Sequence, residues 1–172
     1  DGRGYSAVHL AMHCGHLAVV RKLVAAGARL SAIPDKPWPI YGEVDVNGLG
    51  VPSCLGLAAL LGNEEMVRAL LLGKGATTAR KNGSTGLRFA ATSVPGRPVG
   101  DKGGIIRALV DAGVDVNGTL IKGRTTPLSL ACNQLASVGT LRALLQAKAE
   151  VQPIDSEGNT PLHFACGISH VN

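Results

Sequence analysis

Three histidines and a cysteine lie within eight consecutive residues near the start of the sequence: His9, His13, Cys14 and His16. Imidazole and thiolate are the ligands that zinc prefers in proteins. His9 and His13 are four residues apart, so a helix would place both side chains on one face. The spacing is therefore compatible with a metal site, and it is also compatible with a sequence pattern that has another cause.

Other catalytic chemistry has little support in the sequence. It contains no G-x-S-x-G, no H-E-x-x-H and no G-x-x-x-x-G-K-[ST]. The stretch GDKGG (100–104) is rich in glycine like a phosphate-binding loop, but it lacks the spacing and the preceding strand. We therefore expect no enzymatic activity and no cofactor.

The composition favours short helices around an aliphatic core. Hydrophobic residues make up 45% of the 172 residues, which suffices for one domain, while aromatic residues make up only 3%. The 23 glycines suit helices that are separated by tight turns. The formal charge of +5 is a modest excess that favours anionic partners only weakly.

The four cysteines and the hydropathy of the sequence indicate which cellular compartment is expected. No cysteines form a C-x-x-C pair, so reduced thiols and a cytoplasmic protein are expected. No apolar run approaches the ~18 residues that span a bilayer. Because the chain begins with Asp rather than Met, an upstream targeting segment is compatible with the sequence.

A repeated pattern organises almost the whole chain. Its first block occurs as SAVHLA (6–11), SCLGLA (53–58), TGLRFA (85–90), TPLSLA (126–131) and TPLHFA (160–165). A second block follows four of these, as VVRKLV (19–24), MVRALL (66–71), IIRALV (105–110) and TLRALL (140–145). Ser or Thr at the start of a block is a good helix N-cap, and Pro127 and Pro161 fit the first helical position. Each unit therefore predicts two short helices.

These blocks resemble the ankyrin repeat, whose signature is T-P-L-H-x-A with a period near 33 residues. The strongest matches are DSEGNTPLHFA (155–165) and GHLAVVRKLVAAGA (15–28). The resemblance implies an all-α solenoid of stacked antiparallel helix pairs that are joined by β-hairpin fingers. Repeats are expected at about 1–33, 48–79, 80–117, 121–153 and 155–172, with insertions at about 31–50 and 92–104. The last repeat stops early, which indicates a portion of a longer polypeptide.

The resemblance also gives the histidines another explanation. His9 and His163 take the fourth position of the signature, where the family uses the imidazole as a structural hydrogen-bonding group. His16 opens the second helix of its repeat. We therefore favour an architectural role over a zinc site and expect no metal.

The candidate partner-binding residues lie on the fingers. Trp38 and Tyr41 stand in the proline-rich first insertion, where they either anchor a partner or fold back over their own loop. Charged residues that would tune the rate and selectivity of association are Asp45, Arg80, Lys81, Asp115, Lys122 and Arg124.

Several further positions carry more than one interpretation. The second insertion, with Arg97 and Lys102, is expected to be a solvated loop rather than a mobile tether or a contact point in a larger assembly. Asn117, like Asn47, is either a turn residue or an acceptor for the hydroxylation known in the family. Lys148 stands where other second helices end in Gly, which predicts mild backbone strain.

One arginine recurs in each second block: Arg21, Arg68, Arg107 and Arg142. These side chains either grip an acidic partner or a phosphate backbone, or they solvate the outer face, and the sequence favours solvation. Nucleic-acid binding is not expected, because the aromatic side chains that usually accompany it are missing.

The resemblance implies a non-catalytic protein–protein interaction scaffold that binds partner proteins through its fingers and concave face, including as a structural subunit of a large assembly. The alternative is a substrate-recruiting or regulatory region of a larger enzyme, such as a ubiquitin ligase or kinase. A third hypothesis is an anion binder that uses the arginines.

Overall fold

The computed structural model describes residues 5–28, 30, 53–72, 77, 83–93, 100–119, 125–134 and 136–167. These residues form nine α-helices and no strand. In chain order the helices are α1 (Ala7–His13), α2 (Leu17–Ala25), α3 (Cys54–Leu60), α4 (Glu64–Leu70), α5 (Gly83–Ala91), α6 (Gly103–Asp111), α7 (Pro127–Asn133), α8 (Val138–Gln146) and α9 (Pro161–Ala165).

The helices stack in two rows. The first helices of the repeats, α1, α3, α5, α7 and α9, each contact the next in that order. The second helices, α2, α4, α6 and α8, do the same, and each packs on the first helix of its own repeat. This arrangement confirms the expected all-α solenoid. The described parts of the fingers are turns.

The core lies between the two rows and consists mainly of aliphatic side chains. Leu87, Ile106, Leu109 and Leu144 are fully buried. The alanine that closes the first block is also buried in four repeats, at Ala11, Ala58, Ala90 and Ala131. Its small side chain lets neighbouring helices approach closely. No helix among the described residues is both long and apolar enough to cross a membrane.

His9 caps α1. Its Nδ1 accepts a hydrogen bond from the Ser6 backbone N–H at 3.2 Å and lies 2.8 Å from Ser6 Oγ. With Nδ1 as acceptor, the neutral ring holds its proton on Nε2, which is 3.3 Å from Cys54 Sγ in the next repeat. His163 makes the same capping contacts with Thr160 at the start of α9. The structural role expected for both histidines is confirmed.

The environment of His9 and Cys54 is apolar. Burial lowers the pKa of the His9 imidazole and raises the pKa of the Cys54 thiol to about 12. The thiol therefore stays protonated at neutral pH and is a poor metal ligand or nucleophile. Within the described residues, no group of three or more His, Cys, Asp or Glu side chains is arranged to hold a metal ion.

Three of the second helices, α2, α6 and α8, are followed by a residue with left-handed backbone geometry. Gly27 and Gly113 hold this position after α2 and α6, with φ values of 82° and 86°. After α8 the residue is Lys148, whose φ is 64°. It is the only residue other than glycine with a positive φ among the described residues. The left-handed geometry from which strain at Lys148 was predicted is therefore present, and the strain itself stays a prediction.

In the second insertion, residues 94–99 lie outside the described residues, and Gly100 and Asp101 are exposed as expected of a solvated loop. The expectation is wrong at the two ends of the segment. Thr92 and the Lys102–Gly104 stretch are buried. The reason lies at the end of α5, where side chains bind the last carbonyl groups of the helix. The Lys102 ammonium donates to the carbonyl oxygens of Phe89 at 3.2 Å and Thr92 at 2.7 Å. The Thr92 hydroxyl donates to the carbonyl of Arg88 at 2.8 Å.

Candidate protein-interaction surface

Of the eight residues predicted to bind a partner, Asp115 is the one that the structure describes. The other seven, including the aromatic pair of the first insertion, lie outside the described residues: Trp38, Tyr41, Asp45, Arg80, Lys81, Lys122 and Arg124. Asp115 lies on the first of two adjacent fingers that the structure describes, at 112–119 and 147–159.

Asp115 is exposed and shapes the tip of its finger. Its Oδ1 accepts a hydrogen bond from the Asn117 backbone N–H at 2.9 Å, and its carbonyl oxygen accepts from Gly118 N–H at 3.4 Å. An aspartate that binds the backbone two residues ahead stabilises a turn. Asp115 therefore has a structural role in addition to the charge that it presents to solvent.

Asn117 joins this finger to the following one. Its Oδ1 accepts from the Glu150 backbone N–H at 2.8 Å, and its Nδ2 donates to the Lys148 carbonyl at 3.4 Å. One amide side chain thus satisfies a donor and an acceptor of the neighbouring finger. The turn-residue interpretation of Asn117 is confirmed, and the structure adds a bridge between repeats.

The finger at 147–159 is closed by Asp155. Its Oδ1 accepts from the backbone N–H groups of Glu157 and Asn159, both at 2.8 Å. The backbone N–H of Asp155 donates to the Asn159 carbonyl at 3.1 Å. Asn159 is only 1% exposed, so the closed turn is fixed against the body of the repeat. The finger therefore has a defined shape before any partner binds.

Two aliphatic side chains on this finger were missed by sequence reasoning. Val151 is 58% exposed and Ile154 is 57% exposed. Val116, at the position of Val151 on the preceding finger, is only 8% exposed. Because both positions hold valine, the sequence does not indicate that one side chain is buried and the other exposed. Together with Asp115 and Glu150, these side chains form what we call the finger edge: Asp115, Glu150, Val151 and Ile154.

The finger edge can contact a protein surface in two ways. The exposed aliphatic side chains offer apolar area whose burial would stabilise a complex. Asp115 and Glu150 are exposed on the same two fingers, and their carboxylates would select for basic groups on the partner. Tight turns hold the edge on both sides, so little ordering would be needed when it binds.

Comparisons with known proteins agree with the repeat pattern. A family model described as "Ankyrin repeat" matches residues 3–36, and one described as "Ankyrin repeats (many copies)" matches residues 128–172. A curated relative, the nuclear factor NF-kappa-B p105 subunit of Gallus gallus, is 29% identical over 166 residues. The match covers 93% of this chain but only 14% of the relative.

Proposed function

We propose that the chain, whose residues 3–36 and 128–172 match ankyrin-repeat family models, is a non-catalytic scaffold that binds partner proteins through its fingers and the face of its first helices. Ankyrin repeats are generally protein–protein interaction modules. The relative from Gallus gallus is by name a subunit of nuclear factor NF-kappa-B. That name favours a role inside an assembly over a role as an isolated domain.

The bridge between adjacent fingers is the observation that carries this proposal. Asn117 binds the backbone of both Lys148 and Glu150, so the two fingers keep one relative position. A rigid edge that exposes Val151 and Ile154 loses little conformational entropy on binding. These are the properties of a preformed docking edge.

The compartment forms part of the same proposal. All four cysteines are free thiols, and Cys14 and Cys166 are exposed. Free exposed thiols fit a reducing environment of the cytoplasmic kind.

The test is a binding measurement with an identified partner. The full chain captures proteins from cell extract, mass spectrometry identifies them, and the affinity of a purified partner is measured by calorimetry. Changing Val151 and Ile154 to Ser together should weaken binding by at least about tenfold, as expected for exposed anchors at an interface.

The matched control changes an equally exposed aliphatic residue away from the fingers. Val138, at the start of α8, is 70% exposed, so Val138→Ser removes apolar surface comparable to that of one of the two finger residues, and Val151→Ser alone is the variant to compare with it. The proposal expects this variant to bind like the wild type. Equal affinity of the finger variant and the wild type for every captured partner would overturn the proposal.

A further inference from the structure

Four arginines occupy one register on the outer row of helices. Each is the third residue of its second block, on α2, α4, α6 and α8, and these helices pack against one another in that order. Packed helices lie about 8–10 Å apart, so the arginines follow one another at roughly that interval. All four are exposed. We call this set the arginine column: Arg21, Arg68, Arg107 and Arg142.

The members of the column differ in their ion pairs. Glu64 Oε1 lies 2.8 Å from Arg68 Nη2 and accepts from Arg68 Nε at 2.9 Å. Within the part of the chain that the structure describes, no carboxylate pairs with Arg21, Arg107 or Arg142. The charge of Arg68 is therefore neutralised by a carboxylate of the same chain, while the other three arginines present their guanidinium groups to solvent.

An open groove lies beside the first arginine. It has a volume of about 420 Å³ and lies between the ends of α2 and α4. Arg21 forms one side, and the remaining lining is aliphatic and includes Val24, Ala69 and Leu72. Leu72 is 62% exposed. A ligand that reaches Arg21 therefore also meets apolar surface.

We propose that the arginine column binds a carboxylate-rich segment of a partner protein. Guanidinium groups bind carboxylates through two parallel hydrogen bonds. In a polyproline II segment, side chains three residues apart lie on one face and are about 9 Å apart, which matches the interval between the helices. An apolar side chain of the same segment fits the groove beside Arg21.

Two observations favour a protein over a nucleic acid. The sequences of α2, α4, α6 and α8 contain no aromatic residue on which a base would stack. Exposed carboxylates, Glu65 and Asp111, lie on the same helices and favour a ligand whose negative charges are spaced over one whose charges are continuous. This surface lies on the second helices and goes beyond the proposed function, which uses the fingers.

The experiment measures fluorescence anisotropy of a labelled peptide against the full chain at low salt. The probe is a proline-rich peptide of about 12 residues that favours polyproline II, with Glu at every third position and one Leu. A peptide of the same composition with its glutamates in one cluster tests the spacing. An oligothymidylate of similar length tests for a general polyanion site.

Changing Arg107 and Arg142 to Gln together should weaken binding of the spaced peptide about three- to tenfold, because exposed ion pairs are weak individually. Lys22→Gln is the matched control, since it removes an exposed positive charge from α2 outside the column and should change affinity less than about twofold. Glu64→Gln releases Arg68 and should tighten binding.

Three results would overturn the proposal: equal losses in Lys22→Gln and the double arginine variant, equal affinity for the two peptides, or tighter binding of the oligonucleotide. The Val151→Ser, Ile154→Ser variant should bind the spaced peptide like the wild type. The experiment therefore distinguishes a failure of the proposal for the arginine column from a failure of the proposal for the finger edge.

Discussion

The ammonium nitrogen of Lys102 lies 2.7 Å from the carbonyl oxygen of Thr92, although ten residues separate the two along the chain. A positive charge at a helix C-terminus is favourable, because the last carbonyl groups carry the negative end of the helix dipole. The same residue donates its backbone N–H to Thr140 Oγ1 at 3.0 Å. Lys102 therefore connects the end of α5 with the start of α8.

Burial of Lys102 predicts a pH dependence of stability. Burial lowers the pKa of its ammonium to about 8, from 10.5. The unfolded chain then binds more protons than the folded chain between these values. The free energy of unfolding should rise relative to a Lys102→Met variant by on the order of 3 kcal/mol from pH 8 to 10.5.

Urea unfolding of both proteins at several pH values measures this difference. Lys22→Met, which removes an exposed lysine, is the control and should follow the wild-type pH dependence. If the curves of Lys102→Met and the wild type stay parallel, the buried ammonium does not titrate in this range.

The left-handed position after α8 predicts a stabilising substitution. Lys148 adopts a φ of 64° that glycine tolerates without strain. Lys148→Gly should raise the free energy of unfolding by about 0.5–1 kcal/mol. The reciprocal change Gly113→Ala, at a φ of 86°, should lower it by about 1 kcal/mol. Thermal denaturation followed by circular dichroism compares the two, and a loss of stability in Lys148→Gly would contradict the strain argument.

The start of α6 contains two adjacent glycines with different tolerance. A Cβ at Gly103 would lie 2.8 Å from the carbonyl oxygen of Gly139, which is backbone and cannot move cheaply. A Cβ at Gly104 would meet the Glu64 carboxylate, the far end of a flexible side chain. Gly103→Ala should therefore cost about 1–3 kcal/mol of stability.

Gly104→Ala should remain within about 1 kcal/mol of the wild type, because alanine also favours the helix. Urea titration of the two variants ranks them directly. If Gly104→Ala were the more destabilising variant, the close approach of Gly103 to the Gly139 carbonyl would not be what restricts side chains at the start of α6.

The bridge between the fingers predicts a local effect. Asn117→Ala removes the acceptor for the Glu150 N–H and should cost about 0.5–1.5 kcal/mol. Hydrogen exchange at the Glu150 amide should become faster, while exchange in α3 stays unchanged. Asn133→Ala, an exposed asparagine at the end of α7, is the control. Unchanged protection of Glu150 in Asn117→Ala would show that the fingers are fixed by other contacts.

The aromatic pair of the first insertion remains a prediction. Changing Trp38 and Tyr41 to Ala should weaken binding of an identified partner by at least about tenfold, because such side chains dominate binding energy at interfaces. The thermal transition should stay nearly unchanged. Calorimetry measures the affinity, and loss of cooperative unfolding in the variant would assign the aromatic residues a structural role.

Much of the fold was predictable because its signals are local. Thr126 and Thr160 mark helix starts through a hydroxyl that caps the helix within three residues. The recurrence of these starts predicted two short helices in each repeat, and the resemblance to the ankyrin repeat implied that the pairs stack. The site was far less predictable, since the sequence suggested eight binding residues but did not suggest Val151 or Ile154.

The sequence by itself determined where helices begin and end, since caps and left-handed positions depend on neighbouring residues, as at His9 and Lys148. Tertiary structure alone decided what each repeated side chain faces. Val116 is buried and Val151 exposed at aligned positions, and Lys102 is buried although its segment reads as a solvated loop. Burial depends on contacts between repeats, and a local pattern contains no information about them.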